Sequence, residues 1–213
     1  MVYLVLSGIQ LFKLMWLKRW FFTVQMGYRY RQALAQIYLT TPSQQQLCQL
    51  SPIKLKQQGI TVVVLDFDGV LAAHGELQPT KEIHSWLQNC IQCFGAEQIF
   101  VLSNKPLVSR IAYFNCHYPG IRYITATKKK PYPDGLKAII TLTKQSSHQI
   151  MLIDDRLLTG ILAACLANVS VTYITYPYIQ LFKRPLPEIF FLVLRWLERQ
   201  LISLYSRFTY SSR

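Results

Sequence analysis

Residues 62–71 read VVVLDFDGVL: a run of valines and a leucine that ends in two carboxylates two residues apart, with a glycine directly after them. A short, unbroken apolar run is the pattern of a strand buried on both faces, as in parallel sheets covered by helices. In such sheets ligands bind just beyond the carboxyl ends of the strands. Asp66 and Asp68 therefore stand where chemistry is expected, and Gly69 leaves the backbone free to turn there without a side chain in the way.

Four further runs share the character of the first: QIFVLSN (98–104), IRYITA (121–126), QIMLID (149–154) and VSVTYIT (169–175), with TVVVLDF (61–67) ahead of them. Segments of helical spacing separate them, so the expected architecture is α/β, a Rossmann-like doubly wound parallel sheet built from right-handed crossovers. Four of the five runs lead into polar residues. Asp66 and Asp68 follow the first, Ser103 and Asn104 the second, Lys130 before Pro131 comes after the third, and Asp154 with Asp155 ends the fourth. Taken singly, each is the usual material of a cap, a turn or a solvated charge. Their joint order, each behind its own apolar run, is the signal.

This order resembles the haloacid dehalogenase (HAD) superfamily of phosphohydrolases: LDFDGVL is similar to its first motif, VLSN to its second, KKP to its third and LIDD to its acidic fourth. The Gly-Ile pair before the first motif and the proline-flanked C-terminal helix are similar to the capless subfamily III, YqeG-type phosphatidylglycerophosphatases. The resemblance covers roughly residues 39 to 200. It implies Asp66 as nucleophile, Asp68 as general acid and base, Ser103 and Asn104 at the phosphoryl oxygens, Lys130 as the neutralising cation, and Mg²⁺ held by Asp66, Asp68, Asp155 and Asp154. Asp154 stands where a glycine is more usual, Gly160 where a further Asp often follows, and Val70 where many relatives carry threonine.

These residue types suit the chemistry on physical grounds. A phosphate monoester dianion repels nucleophiles until its charge is neutralised, which a metal held by carboxylates and a lysine accomplish. A carboxylate can then form an aspartyl-phosphate, while a second carboxyl with a raised pKa donates and later accepts a proton. The sequence intervals, 35 residues from Asp68 to Ser103, 27 on to Lys130 and 25 more to Asp155, leave no room for an inserted lid. An open site is expected, suited to a phosphate on something too large to enclose.

Composition points the same way. The chain has 213 residues, 51% of them hydrophobic and only 15% charged, with 23 basic against 10 acidic side chains. No acid precedes Asp66, whereas Lys13, Lys18, Arg19, Arg29, Arg31, Lys54 and Lys56 do. Such a basic arm seeks an anionic partner, an anionic membrane surface or nucleic acid. The division expected is an N-terminal interfacial arm (1–38), a phosphatase core (39–180) and a C-terminal amphipathic helix with tail (181–213).

In the arm, Leu4, Val5, Leu11, Phe12, Met15, Trp16 and Trp20 share one helical face, and Ser7, Gln10, Lys13, Lys18 and Gln25 the other. Lys13, Lys18 and Arg19 interrupt any simple spanning segment, so the helix is expected to lie in a lipid interface. The C-terminal stripe Phe190, Val193, Leu194, Leu197, Leu201 and Leu204, opposite Glu188, Arg195, Glu198, Arg199, Ser203 and Arg207, is expected to pack on the domain, with lipid contact as the alternative. The five cysteines read as reduced, small apolar residues. His74, His84, His117 and His148 fit no metal spacing, though His74 lies near the first motif.

The function expected is Mg²⁺-dependent hydrolysis of a phospholipid phosphate such as phosphatidylglycerophosphate, by a cytoplasmic protein on the inner face of a membrane. The alternatives are the same chemistry on nucleic acid ends or a phosphoprotein, and a membrane-attached binding module without turnover.

Overall fold

The computed structural model describes the backbone of residues 2–210 and the side chains of residues 14–206. The expectations placed on the side chains of Leu4, Val5, Ser7, Gln10, Leu11, Phe12, Lys13 and Arg207 lie outside the described residues. The chain begins with α1 (Val2–Arg29), α2 (Arg31–Thr40) and the short α3 (Pro52–Gln57). The body then alternates β1 (Val62–Leu65), α4 (Lys81–Phe94), β2 (Ile99–Leu102), α5 (Val108–His117), β3 (Arg122–Ile124), α6 (Asp134–Thr143) and β4 (Ile150–Asp154). A π-helical turn, Leu157–Ile161, runs into α7 (Leu162–Ala167), followed by β5 (Ser170–Tyr173) and the long α8 (Pro185–Tyr210).

All five apolar runs are strands, and they form one parallel sheet in the order β3-β2-β1-β4-β5. Period-2 alternation divides their side chains between two cores. Val63, Leu65, Ile99, Val101 and Ile153 pack with Ile83 and Leu87 of α4 and Phe114 of α5. Val62, Val64, Phe100, Leu102 and Leu152 pack on the other face with Leu136 and Ile139 of α6 and Ala163 and Ala164 of α7. Helices on both faces explain why the strands read as unbroken hydrophobic runs.

Local chemistry starts and stops the helices. In α4, Thr80 caps the N-terminus by accepting from the Ile83 amide at 3.4 Å, and Ile83, Trp86, Leu87 and Cys90 form its buried stripe. Gly95, at φ 81°, ends it. From β1 the chain builds outward through β2 and β3, then crosses back to place β4 on the other side of β1. The crevice at that reversal is where open α/β sheets hold ligands.

The terminal helices close over this crevice. In α2, Leu34 and Ala35 are buried with Leu157, Ile161, Tyr173 and Ile202 of α8. In α1, Phe22 stacks on Tyr132 at 4.3 Å, and Gly27 lies against Leu158 of the π-turn.

The orientation of α8 differs from the expected one. Its charged side is inward, with Glu188, Arg195 and Glu198 exposed by 0%, 2% and 6%, while Phe190 and Leu201 of the apolar stripe are 57% and 58% exposed. The reason lies in what the helix meets. Arg195 Nε donates to Asp155 at 2.5 Å, Glu198 accepts from Arg156 at 2.5 and 3.0 Å, and Arg199 donates to the Tyr173 hydroxyl and the Thr175 carbonyl. A buried charge that loses its partner costs about 3–5 kcal/mol, so this floor selects the polar face of the helix. Replacing Glu198 by Ala is expected to lower the free energy of unfolding in urea by about 3 kcal/mol, since Arg156 is then left unpaired. Leu201→Ser on the outward stripe is expected to change it by less than about 0.5 kcal/mol. The reverse ranking would contradict the inward polar face.

Candidate active site

Because β1 and β4 are neighbours, with Leu65 opposite Ile153, the residues that follow them share one end of the crevice. The Asp66 amide donates to the Ile153 carbonyl at 3.0 Å, which continues the ladder one step and sets Asp66 beside Asp154. Asp66, Asp154 and Asp155 each bring a carboxylate oxygen within 4.8 Å of the others, and all three are buried. Between them stands Lys130, whose Nζ donates to Asp66 Oδ1 and to Asp154 Oδ2, both at 2.6 Å. Asn104 fixes that lysine's backbone: its Oδ1 accepts from the Lys130 amide at 2.7 Å and its Nδ2 donates to the Lys130 carbonyl at 3.3 Å. Ser103, also buried, accepts from the Lys105 amide at 3.2 Å and faces the same cleft of about 520 Å³.

Asp68 lines the cleft but stands outside the three-carboxylate group. Its two oxygens accept from both terminal nitrogens of Arg110, at 2.7 and 3.0 Å, and the Gly75 amide donates to Oδ1 at 3.3 Å. Arg110 is fully buried, lies 3.9 Å over the Phe67 ring and donates from Nε to the Glu76 carbonyl, so its fork is held in one position. Directly after Asp68, Gly69 adopts φ 91°, and a Cβ there would run into the Asp155 carboxylate and the Arg195 guanidinium. Only glycine lets the loop pass so close.

Asp154 and Gly160, the two departures of the fourth motif, fit one another. A Cβ on Gly160 would collide with the Asp154 carboxyl group. The missing side chain on the π-turn thus makes the space that the acid at the end of β4 occupies. The Asp154 Oδ1 also accepts from the Arg156 amide at 3.0 Å, which fixes the acid's direction.

Crowding governs the electrostatics. Burial, then the carboxylates around it, push the Asp66 pKa from 3.8 to about 8 even though Lys130 opposes them. Burial raises Asp154 as well, again against Lys130. Burial disfavours the Lys130 ammonium, but Asp154 and Asp66 outweigh it and hold its pKa above the ordinary lysine value. One oxygen of Asp155 is paired with Arg195, while its Oδ1 is buried without a hydrogen-bond partner. An orphaned carboxylate oxygen beside two more carboxylates is a donor set of the hard kind that divalent cations such as Mg²⁺ take. The residues present fit such an ion.

Every residue singled out at the four strand ends is therefore at this crevice, with Asp68 turned to Arg110. His74 also borders the cleft, stacked on Phe191 at 3.9 Å, with its amide donating to Glu188 at 3.0 Å. Sequence reasoning did not find Arg110 or Arg195 as parts of the site. Nothing in the spacing of Arg110 marks it, whereas Arg195 belongs to the polar stripe of α8, whose direction helical periodicity alone does not fix.

Two outcomes are expected. Gly160→Ala forces the Asp154 carboxylate out of its space, so turnover should fall by about a hundredfold or more, while the paired exchange Asp154→Gly with Gly160→Asp should recover part of it. An unaffected Gly160→Ala enzyme would contradict the packing. The raised Asp66 pKa means that the folded state binds more protons than the unfolded chain between about 4 and about 8. In EDTA its stabilising effect is present in acid and lost as pH rises through 8. The melting temperature of Asp66→Asn minus that of the wild type should thus grow from pH 5 to pH 9, and Mg²⁺ should shrink the difference. A pH-independent difference would refute this.

The profile of one family, Mitochondrial PGP phosphatase, matches residues 30–177, which run from the start of α2 past β5 and include all four strand-end motifs. Comparison with curated proteins and with solved structures returned no match. The matched span covers well over half of the chain together with the whole site floor, and the chain belongs to the Mitochondrial PGP phosphatase family.

Proposed function

We propose that this protein is a Mg²⁺-dependent phosphomonoesterase that removes the terminal phosphate of phosphatidylglycerophosphate through an aspartyl-phosphate on Asp66, at the surface of an anionic membrane. One observation carries this reading. The cleft has a buried floor of three carboxylates and Lys130, and a rim of exposed aromatic side chains, Trp16 and Trp20 of α1 and Phe190 of α8.

The chemistry follows from the floor. Asp66 attacks phosphorus as the bond to the alkoxide breaks, and Asp68 from the cleft wall gives that alkoxide its proton. Water then attacks the aspartyl-phosphate, Asp68 takes its proton, and inorganic phosphate and free Asp66 result. Lys130, within reach of Asp66, and Ser103 stabilise the phosphoryl oxygens, and Asn104 keeps Lys130 in place. Asp66, Asp154 and Asp155 would hold Mg²⁺, which would supply the remaining charge neutralisation and favour the ionised form of Asp66 against its raised pKa. Asp68 serves proton transfer in this scheme once substrate binding frees it from the two hydrogen bonds that it accepts from Arg110.

The rim supports the membrane surface as partner. No helix among the described residues is long and apolar enough to cross a membrane. Leu17, Phe21 and Val24 of α1, and Val193, Trp196 and Leu197 of α8, are exposed on helices that border the cleft. Exposed apolar faces with aromatic residues, on a chain of net charge +13, suit an interfacial position on anionic lipid. The capless reading has support too, since residues 66–80 between β1 and α4 form only a loop, and single βα units fill the later intervals.

Asp66→Asn should lower Mg²⁺-dependent phosphate release from phosphatidylglycerophosphate by at least about a thousandfold with the circular dichroism spectrum intact. The wild type should co-sediment with anionic vesicles, and Trp196→Ser with Leu197→Ser should weaken that binding severalfold. Full turnover by the Asn variant would end the nucleophile assignment. Steeply salt-dependent cleavage of oligonucleotide ends with no response to vesicles would point instead to nucleic acid.

A further inference from the structure

The cations around the cleft fall into two groups. Lys130 is paired with Asp66 and Asp154, Arg195 with Asp155, Arg110 with Asp68 and Arg156 with Glu198. Arg19, Arg184, Lys105 and Lys129 border the same cleft, and none has a carboxylate partner among the described residues; of these four, Lys105 and Lys129 flank the floor residues Asn104 and Lys130 in sequence, and the two arginines come from α1 and the segment before α8. Arg19 projects from α1 between the exposed Trp16 and Trp20 and is itself half-buried. Its charged neighbour is Arg156, another cation, and burial followed by that repulsion lowers its pKa. Arg184 stands just before α8, with its guanidinium against Gly75 in the loop that also donates to Asp68.

Arg156 is already paired with Glu198, whereas the half-buried Arg19 has no carboxylate partner among the described residues and is unfavourable unless an anion reaches it. The planar fork of arginine matches two oxygens of one phosphate, so a phosphate is the anion it recognises best. The phosphoryl site already has its own cations on the floor. Arg19 of α1 and Arg184, just before α8, line the cleft together with the exposed aromatic side chains of its rim, Trp16, Trp20 and Phe190.

We infer that Arg19, with Arg184, forms a second anion subsite that takes the phosphodiester of a lipid whose terminal monoester lies on the Asp66 floor. The inference rests on the phosphatase reading above and adds to it a basis for selecting lipids that carry two phosphates over those that carry one. The diester joins the diacylglycerol to the headgroup, so its place is between the reacting phosphate and the apolar rim, on whose helices or beside them these two arginines lie.

The test uses the full chain with Mg²⁺ and substrates in non-ionic detergent micelles, which removes attraction to an anionic surface. Phosphatidylglycerophosphate carries the diester and the monoester, phosphatidate carries a monoester alone, and p-nitrophenyl phosphate has no lipid. Arg19→Gln and Arg184→Gln should each lower kcat/KM on phosphatidylglycerophosphate by about tenfold or more, mainly through KM. The loss on phosphatidate should be at least threefold smaller, Arg19→Lys should recover part of the affinity, and Lys18→Gln, on the same helix, should show no such preference. Without Mg²⁺, binding of short-chain phosphatidylglycerol, which keeps the diester and lacks the monoester, should weaken by a similar factor in Arg19→Gln. Equal losses on the two lipids, or an unchanged ratio, overturn the subsite while leaving the phosphatase reading intact. Cleavage of p-nitrophenyl phosphate with neither lipid hydrolysed by the wild type overturns the lipid reading and the subsite together.

Discussion

The structure depends on how three buried carboxylates are kept from repelling one another. Asp66, Asp154 and Asp155 are gathered because β1 and β4 are adjacent in the sheet, and backbone pairing rather than side-chain attraction brings them together. Lys130 makes this tolerable by donating to two of them, and Arg195 neutralises part of the third. What remains is an excess of negative charge in a low-dielectric floor. It appears as the strong upward displacement of the Asp66 pKa and as a bare oxygen on Asp155. A site held in this condition is ready for a cation, and ready in turn for the anion a cation attracts.

That constraint reaches the outer surface through α8. An amphipathic helix ordinarily turns its apolar stripe to the core. Here the core-facing ground offers Asp155, Arg156 and the Thr175 carbonyl, so the helix answers with Arg195, Glu198 and Arg199 and leaves its apolar stripe outside. One helix thereby serves two surfaces, supplying counter-charges within and an apolar face without. With α1 alongside, the cleft opens between two helices that both carry exposed apolar and aromatic side chains.

The Asp154 and Gly160 pair shows how a motif can depart from its family's pattern without losing its geometry. Read along the chain, an unexpected acid and a missing acid are two irregularities six residues apart. In space they meet, since the Asp154 carboxyl group occupies the room that a side chain on residue 160 would need. The structure offers no account of the remaining departure, Val70, beyond its burial in the core.

The amino-acid sequence by itself determined the five strands, their parallel arrangement and the residues at their ends, because unbroken valine and isoleucine runs demand burial on two faces and the strand-end position of polar residues is a local property. Asp66, Ser103, Lys130 and Asp155 were legible on that ground. Tertiary structure decided what each charge meets. Arg110 reaches Asp68 across 42 residues and Arg195 reaches Asp155 across 40, and no local pattern encodes such pairings. Helical periodicity reveals that α8 has two faces, but which of them turns inward depends on the charge of the ground beneath it, and that ground exists only once β4 and β5 have been laid side by side.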